Sequence, residues 1–278
     1  MNYRHAFHAG NFSDVVKHAV LVRLLLALLR KDKPFVVIDS HAGRGLYDLT
    51  GEEAQRGGEW PRGIGRMAGT AHPLLEDYLS LVHSAGEGRY PGSPWIARAL
   101  LRPDDRLIAC ELHPEEFAAL RRTLGADRRV SLHARDAWEA LGALLPPTPR
   151  RGLVLVDPAF EAPDEFARME QAVGRAVRRW PTGIYALWYP EKNAAAIAQL
   201  HAAAAAWPVA EALALSLPVG ARPEPDRFGR RALHATGLLL LNPPYGFAEE
   251  APMLLDRLQT RLAEPDAAPW RIEVLRRS

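Results

Sequence analysis

Apolar positions in this chain fall into two spacings. Short unbroken runs, such as Phe35-Val36-Val37-Ile38 and Leu153-Val154-Leu155-Val156, alternate with longer stretches where apolar residues return every third or fourth place. The runs suit strands covered on both faces, and the spaced stretches suit helices. Strands are predicted at 35–39, 107–110, 130–133, 153–156 and 184–188, with helices at about 114–124, 137–145, 164–180 and 191–206 between them. Such alternation predicts a doubly wound α/β fold with right-handed crossovers. Ahead of the first strand, Ser13 is expected to cap a helix running from Asp14 to about Arg30. That helix is apolar almost all round and therefore buried, except that Asp14, Lys17 and His18 share a polar face at its exposed start.

Two regions break the rhythm. Residues 212–219 and 234–241 are both strand-like, with only a Gly/Pro/Arg-rich loop between them and no room for a helix. They are predicted to pair as an antiparallel hairpin, which makes seven strands, and a helix near 249–263 and a short tail follow. A mostly parallel sheet ending in such a hairpin resembles the Rossmann-like sheet of class I S-adenosylmethionine methyltransferases more than a nicotinamide-binding sheet. Residues 48–92 are rich in Gly and Pro, with one helical pattern near 74–83. They read as a small, mostly helical insertion subdomain at the carboxyl edge of the sheet, inside a single domain spanning 1–278. Segments inserted there usually shape substrate access.

Composition narrows the class. The 278 residues are 48% hydrophobic, enough for one large domain, and the net charge of +2 gives no global field toward a polyanion. Arginine does recur in pairs (121–122, 128–129, 150–151, 178–179, 230–231), which are local candidates for phosphate contacts or simply solvated faces. The single cysteine, Cys110, excludes a disulfide framework. The polar N-terminus lacks a signal-peptide core, and the greasiest stretch, Ala19 to Leu29, is broken by Arg23 and falls short of the roughly 20 residues that span a bilayer. A cytoplasmic protein with no membrane association is expected. No exposed coiled-coil seam is visible, so a monomer is expected as well.

The candidate chemistry lies at strand ends. Asp39-Ser40-His41-Ala42-Gly43-Arg44-Gly45 follows the first strand; its glycines permit close backbone approach to a ligand, although a third glycine is missing. Glu111 ends the second core strand, where a carboxylate can accept from ribose hydroxyls. Asp136 ends the third, as a helix cap or as an acceptor for an adenine amine. Ser93 before Pro94 suffices as a helix cap, with a cofactor contact as its second reading. Asp157-Pro158-Ala159-Phe160 ends the fourth. It supplies a carboxylate, the Pro158 carbonyl and an aromatic face, which suit the exocyclic amine and ring of a planar base. His41, Glu111, Asp136 and Asp157 thus all fall at the edge where doubly wound sheets bind ligands. The 157 turn resembles, with one residue different, the [DNS]-P-P-[YFW] pattern that adenine-N(6) methyltransferases carry at such a strand end; Asn242-Pro243-Pro244-Tyr245 matches it more closely, but follows the hairpin and is expected to lie away from the other motifs. His5 and His8 lack further ligands at zinc spacing, and no metal is expected.

With these residues goes a wider resemblance. Tyr3-Arg4-His5-Ala6-Phe7-His8-Ala9-Gly10-Asn11, Asp39-Ser40-His41-Ala42-Gly43, Tyr90-Pro91-Gly92-Ser93-Pro94, Glu111-Leu112-His113-Pro114 and Thr182-Gly183-Ile184-Tyr185-Ala186-Leu187-Trp188-Tyr189-Pro190 resemble the RlmJ family of 23S ribosomal RNA adenine-N(6) methyltransferases, over essentially the whole chain. The resemblance implies an S-adenosyl-L-methionine site formed by His18, His41, Ser93, Glu111, Asp136, Ala137 and Asp157. It implies RNA contacts from Tyr3, His5 and Lys17, with Pro158 and Phe160 at the base and Asp157 as catalytic group. The expected partner is 23S rRNA, protein-free or in early assembly. Two departures stand out: Ala159-Phe160 replaces the family's Pro-Tyr, and Ala137 replaces a glycine. Alternative readings are a DNA adenine methyltransferase and a non-catalytic RNA-binding or ribosome-assembly protein on the same fold. A nicotinamide oxidoreductase fits less well.

Overall fold

Each predicted apolar run becomes a strand in the computed structural model, which describes residues 4–221, 223–224 and 232–277. In chain order the elements are α1 (Phe12–Leu29), β1 (Val36–Asp39), β2 (Leu46–Asp48), α2 (Glu52–Gly57), α3 (Glu76–Ser84), β3 (Arg89–Pro91), α4 (Ser93–Ala99), β4 (Arg106–Cys110), α5 (Pro114–Leu124) and β5 (Val130–His133). They continue with α6 (Ala137–Leu144), β6 (Gly152–Val156), α7 (Glu165–Arg179), β7 (Ile184–Pro190), α8 (Ala194–Ala206), β8 (Glu211–Pro218), β9 (Ala235–Leu241), α9 (Phe247–Leu262) and β10 (Arg271–Arg277).

The main sheet has eight strands in the order β10-β8-β9-β7-β6-β1-β4-β5. Strands β1, β4, β5, β6 and β7 run parallel; β9 is antiparallel to β7, and β8 to β9. Helices α1, α4, α5 and α9 cover one face, and α6, α7 and α8 the other. Burial on both faces explains why β6 is buried at every position. From β1 the chain builds outward through β4 and β5, then returns to lay β6 on the other side of β1. The connections diverge between β1 and β6, so a crevice opens at the carboxyl ends of these two strands.

Three expectations are corrected. The sheet has an eighth strand because the tail pairs with β8 as β10, with a register shift between Val274 and Arg276. Its alternation is broken at that shift and three of its four exposed positions, Arg271, Glu273 and Arg277, are charged, as edge strands often are, so it does not read as a strand in sequence. The cap of α1 is Asn11, whose side chain accepts the Asp14 N–H at 2.9 Å, while the Ser13 hydroxyl bonds Thr236 at 2.8 Å. Asp14, Lys17 and His18 are buried, not on an exposed face.

Residues 48–92 hold α2, α3 and two 3₁₀ turns, and β2 pairs antiparallel with β3 so that the two ends of the segment meet. Its backbone presses on the N-terminal segment: Ile64 N–H donates to Gly10 O at 2.8 Å, and a Cβ on Gly63 would meet that oxygen at 2.1 Å. Only glycine permits this approach. Among the described residues no helix is long and apolar enough to cross a membrane.

Candidate active site

A cavity of about 1330 Å³ opens at the carboxyl edge of the sheet. It is lined by His5, Lys17, His18, His41, Ser93, Glu111, Asp136, Ala137, Asp157, Pro158 and Phe160, which are all the described residues that the sequence assigned to the methyl-donor, base and RNA contacts. Tyr3 lies outside the described residues. Strand geometry gathers the set: β1, β4, β5 and β6 lie side by side, and each delivers its next residues to the same rim.

Asp157 follows β6, and the turn after it is tight enough to put Phe160 in the left-handed region (φ 51°). The Phe160 ring packs against Phe166 (centroids 4.7 Å apart) and edge-on to Trp188 (5.6 Å). The Asp157 N–H donates to His41 Nδ1 at 3.3 Å. Its carboxylate accepts from the Lys17 ammonium, which also donates to Asp14 at 2.9 Å. Asp14 further accepts from His5 Nε2 at 2.8 Å and from the Gly10 N–H at 2.9 Å. Burial alone would push the Asp14 carboxyl up, but His5 and Lys17 beside it hold it well below the usual range. Burial likewise opposes a charged Lys17, yet the two carboxylates raise it above an ordinary lysine. The resemblance implies an RNA contact for Lys17, which the helix pattern places on one face with Asp14. In the structure its side chain is 5% exposed and bridges the two acids.

The other strand ends carry acceptors. Gly43 takes a left-handed φ of 60°, and its N–H donates to Glu111 Oε2 at 2.8 Å, while the His113 N–H donates to Oε1 at 2.7 Å. Each oxygen keeps a second lone pair for a ligand, and burial raises the Glu111 carboxyl. Asp136 caps α6 through Oδ1, which accepts the Trp138 and Glu139 N–H groups at 2.9 and 3.1 Å, so Oδ2 is left over. Ala137 is buried in the first turn of α6. Ser93 is the first residue of α4 and Gly92 its cap, which corrects the expected serine cap. His41 is pushed down to about 3 by burial, with Lys17 adding, and its ring lies edge-on to Trp138 at 5.1 Å. Asp39, 1% exposed, accepts the His41 N–H at 3.3 Å through one oxygen.

Asn242 lies elsewhere. Its amide donates to Pro181 O and Gly183 O, each at 2.8 Å, just ahead of β7. Antiparallel β9 thus delivers its last residue to the edge opposite Asp157. Of the arginine pairs, none of the described members lines the cavity: Arg129 is tied to Asp127, and Arg151 to backbone carbonyls. Arg230-Arg231 lies outside the described residues. The cations that do line it include Arg62, Arg135 and Lys192.

Two cavity residues were missed in the sequence. Trp188 is the one half-buried position of the otherwise buried β7, with its indole N–H shared between the Ser13 and Thr236 hydroxyls, each at 2.7 Å. Asp14, read as a helix-face charge, anchors Lys17. A strand-end aromatic in the fifth parallel strand was the available signal for the first, and the three-residue spacing to Lys17 on one helix was the signal for the second.

The family model for ribosomal RNA large subunit methyltransferase D, RlmJ, matches residues 32–275. The chain is 38% identical over 268 residues to ribosomal RNA large subunit methyltransferase J of Escherichia coli (strain K12), covering 94% of each chain. It is 34% identical over 281 residues to the protein of that name from Haemophilus influenzae (strain ATCC 51907 / DSM 11121 / KW20 / Rd), covering 98% of each. A crystal structure of a protein from Legionella pneumophila str. Philadelphia 1 superposes with a TM-score of 0.86 at 32% identity, over 96% of this chain and 98% of that one.

Proposed function

The chain belongs to the RlmJ family of ribosomal RNA large subunit methyltransferases, and we propose that it transfers a methyl group from S-adenosylmethionine to the 6-amino group of one adenine in 23S rRNA. The observation that carries the reading is Asp157, a carboxylate at the end of β6 beside an aromatic ring, in one cavity with the acceptors Glu111 and Asp136. The cavity exceeds the roughly 300–1,000 Å³ of a typical small-molecule site, so it has room for two ligands. The acceptor set fits an adenosine: Glu111 for the ribose hydroxyls, Asp136 Oδ2 for the adenine amine.

When bound, S-adenosylmethionine supplies an activated methyl on a sulfonium. The chain's residues do the rest. A flipped or single-stranded adenine stacks on Phe160. The Asp157 carboxylate and Pro158 carbonyl accept from its 6-amino group and aim the nitrogen lone pair. Most of the acceleration comes from this alignment. Asp157 also stabilises the positive charge developing on the amine and receives its proton. The Asp14–Lys17 pair holds the Asp157 carboxylate in place. His5 meets the RNA near the rim, and residues 48–92 act as the access insert.

Asp157→Ala tests the assignment. Its methyl transfer to deproteinised 23S RNA should fall at least about 10²–10³-fold with the fold intact, whereas Asn242→Ala should retain activity. Duplex DNA in a parallel assay should accept no methyl.

A further inference from the structure

Two tyrosine hydroxyls sit in the core next to the cavity. Tyr78 on α3 and Tyr90 on β3 are both 0% exposed, and both come from the 48–92 segment. The Tyr90 oxygen lies 2.8 Å from His18 Nδ1 and 3.1 Å from the Tyr78 oxygen. The His18 and Tyr90 rings stack with centroids 5.5 Å apart and planes 24° from parallel. His18 lines the cavity, and its other ring nitrogen, Nε2, has no partner among the described residues.

Counting protons decides the direction of this chain. If Tyr78 donates to Tyr90 and Tyr90 donates to Nδ1, both hydroxyl protons are used. If Nδ1–H donates instead, Tyr90 must turn its proton to Tyr78. The Tyr78 proton is then left without an acceptor, because its hydroxyl meets no other group among the described residues. A fully buried donor without an acceptor is the costly outcome. The first arrangement leaves the imidazole proton on Nε2, facing the cavity. Burial also pushes His18 down to about 3, so the ring is neutral.

We infer that Tyr90 and Tyr78 are positioning residues that fix His18 as the neutral Nε2–H tautomer, presenting one hydrogen-bond donor to the carboxylate at the amino-acid end of the methyl-donor molecule. This rests on the methyl-donor site proposed above. Glu111 and Asp136 follow β4 and β5, so the adenosine lies over those strands and the amino-acid end falls toward β1 and α1, where His18 is. Of the two groups at that end, only the carboxylate accepts.

The test uses the full chain with ¹⁵N-labelled histidine. Long-range ¹⁵N–¹H correlation reads the His18 tautomer, assigned by its loss in His18→Gln. Calorimetry measures S-adenosylhomocysteine, which carries the carboxylate, and methylthioadenosine, which lacks it. In the wild-type protein Nδ1 should be unprotonated. Tyr90→Phe should mix the tautomers and weaken S-adenosylhomocysteine by about tenfold, with methylthioadenosine unchanged. Tyr78→Phe, which removes only the far hydroxyl, should move both readouts less and in the same direction. A protonated Nδ1 in the wild type, or equal weakening of both ligands by Tyr90→Phe, overturns the inference. If neither ligand binds the wild type, the methyl-donor reading fails, and the tautomer still judges the hydroxyl chain.

Discussion

Asp39 is where a single residue sets the pH response. Burial, with the nearby Asp157 charge adding, pushes its carboxyl up from 3.8 to about 7. The folded protein keeps a proton that the unfolded chain releases, so this group makes stability fall as pH rises from 3.8 to about 7 and then level off. His18 and His41 act on the acid side: both drop from 6.5 to about 3, so stability is lost as pH falls through that window. Chemical denaturation across pH should show Asp39→Asn losing the first dependence while keeping the second; an unchanged slope would refute it. Lys17→Met strands Asp14 in the core and should cost roughly 3–5 kcal/mol by the same measurement. The strand-end acids were legible because their places follow from the strands alone. Lys17's true partner was half legible: Asp14 is one helical turn away, but Asp157 is brought to it only by folding. The Ser13–Thr236 and Trp188 contacts join residues too far apart in the chain to be read from it.

Among elements, the parallel strands announced themselves as unbroken apolar runs, and the hairpin as two such runs without a helix between. Element ends were less legible. Asn11 and Ser13 are both good caps, and only the structure shows the amide on the Asp14 N–H. Asn11→Ala should therefore cost about 1 kcal/mol in denaturant unfolding, with more lost through its 2.9 Å bond to Glu59. Strand β10 was hidden by its charges, yet it covers the edge of β8. Ending the chain before Arg271 should expose that edge, lower the melting temperature and promote self-association seen by light scattering. A truncated chain that stays monomeric with an unchanged melting temperature would contradict this.

At the scale of the molecule, the fold gathers groups from α1, the 48–92 segment and four strand ends around one cavity, and this shared rim is what makes the separate motifs one site. The class of fold was readable from the order of the elements; the depth of the cavity and the pressing of Gly63 onto Gly10 were not, since both depend on long-range packing. The departure Ala159-Phe160 keeps an aromatic face against Phe166 and Trp188, so the base platform is present without a tyrosine hydroxyl. The direct test is to incubate the protein with isotope-labelled S-adenosylmethionine and deproteinised 23S RNA, then digest the RNA to nucleosides for mass spectrometry. The account predicts label in N(6)-methyladenosine with the wild-type protein and none with Asp157→Ala; label in any other nucleoside, or undiminished transfer by that variant, would contradict it.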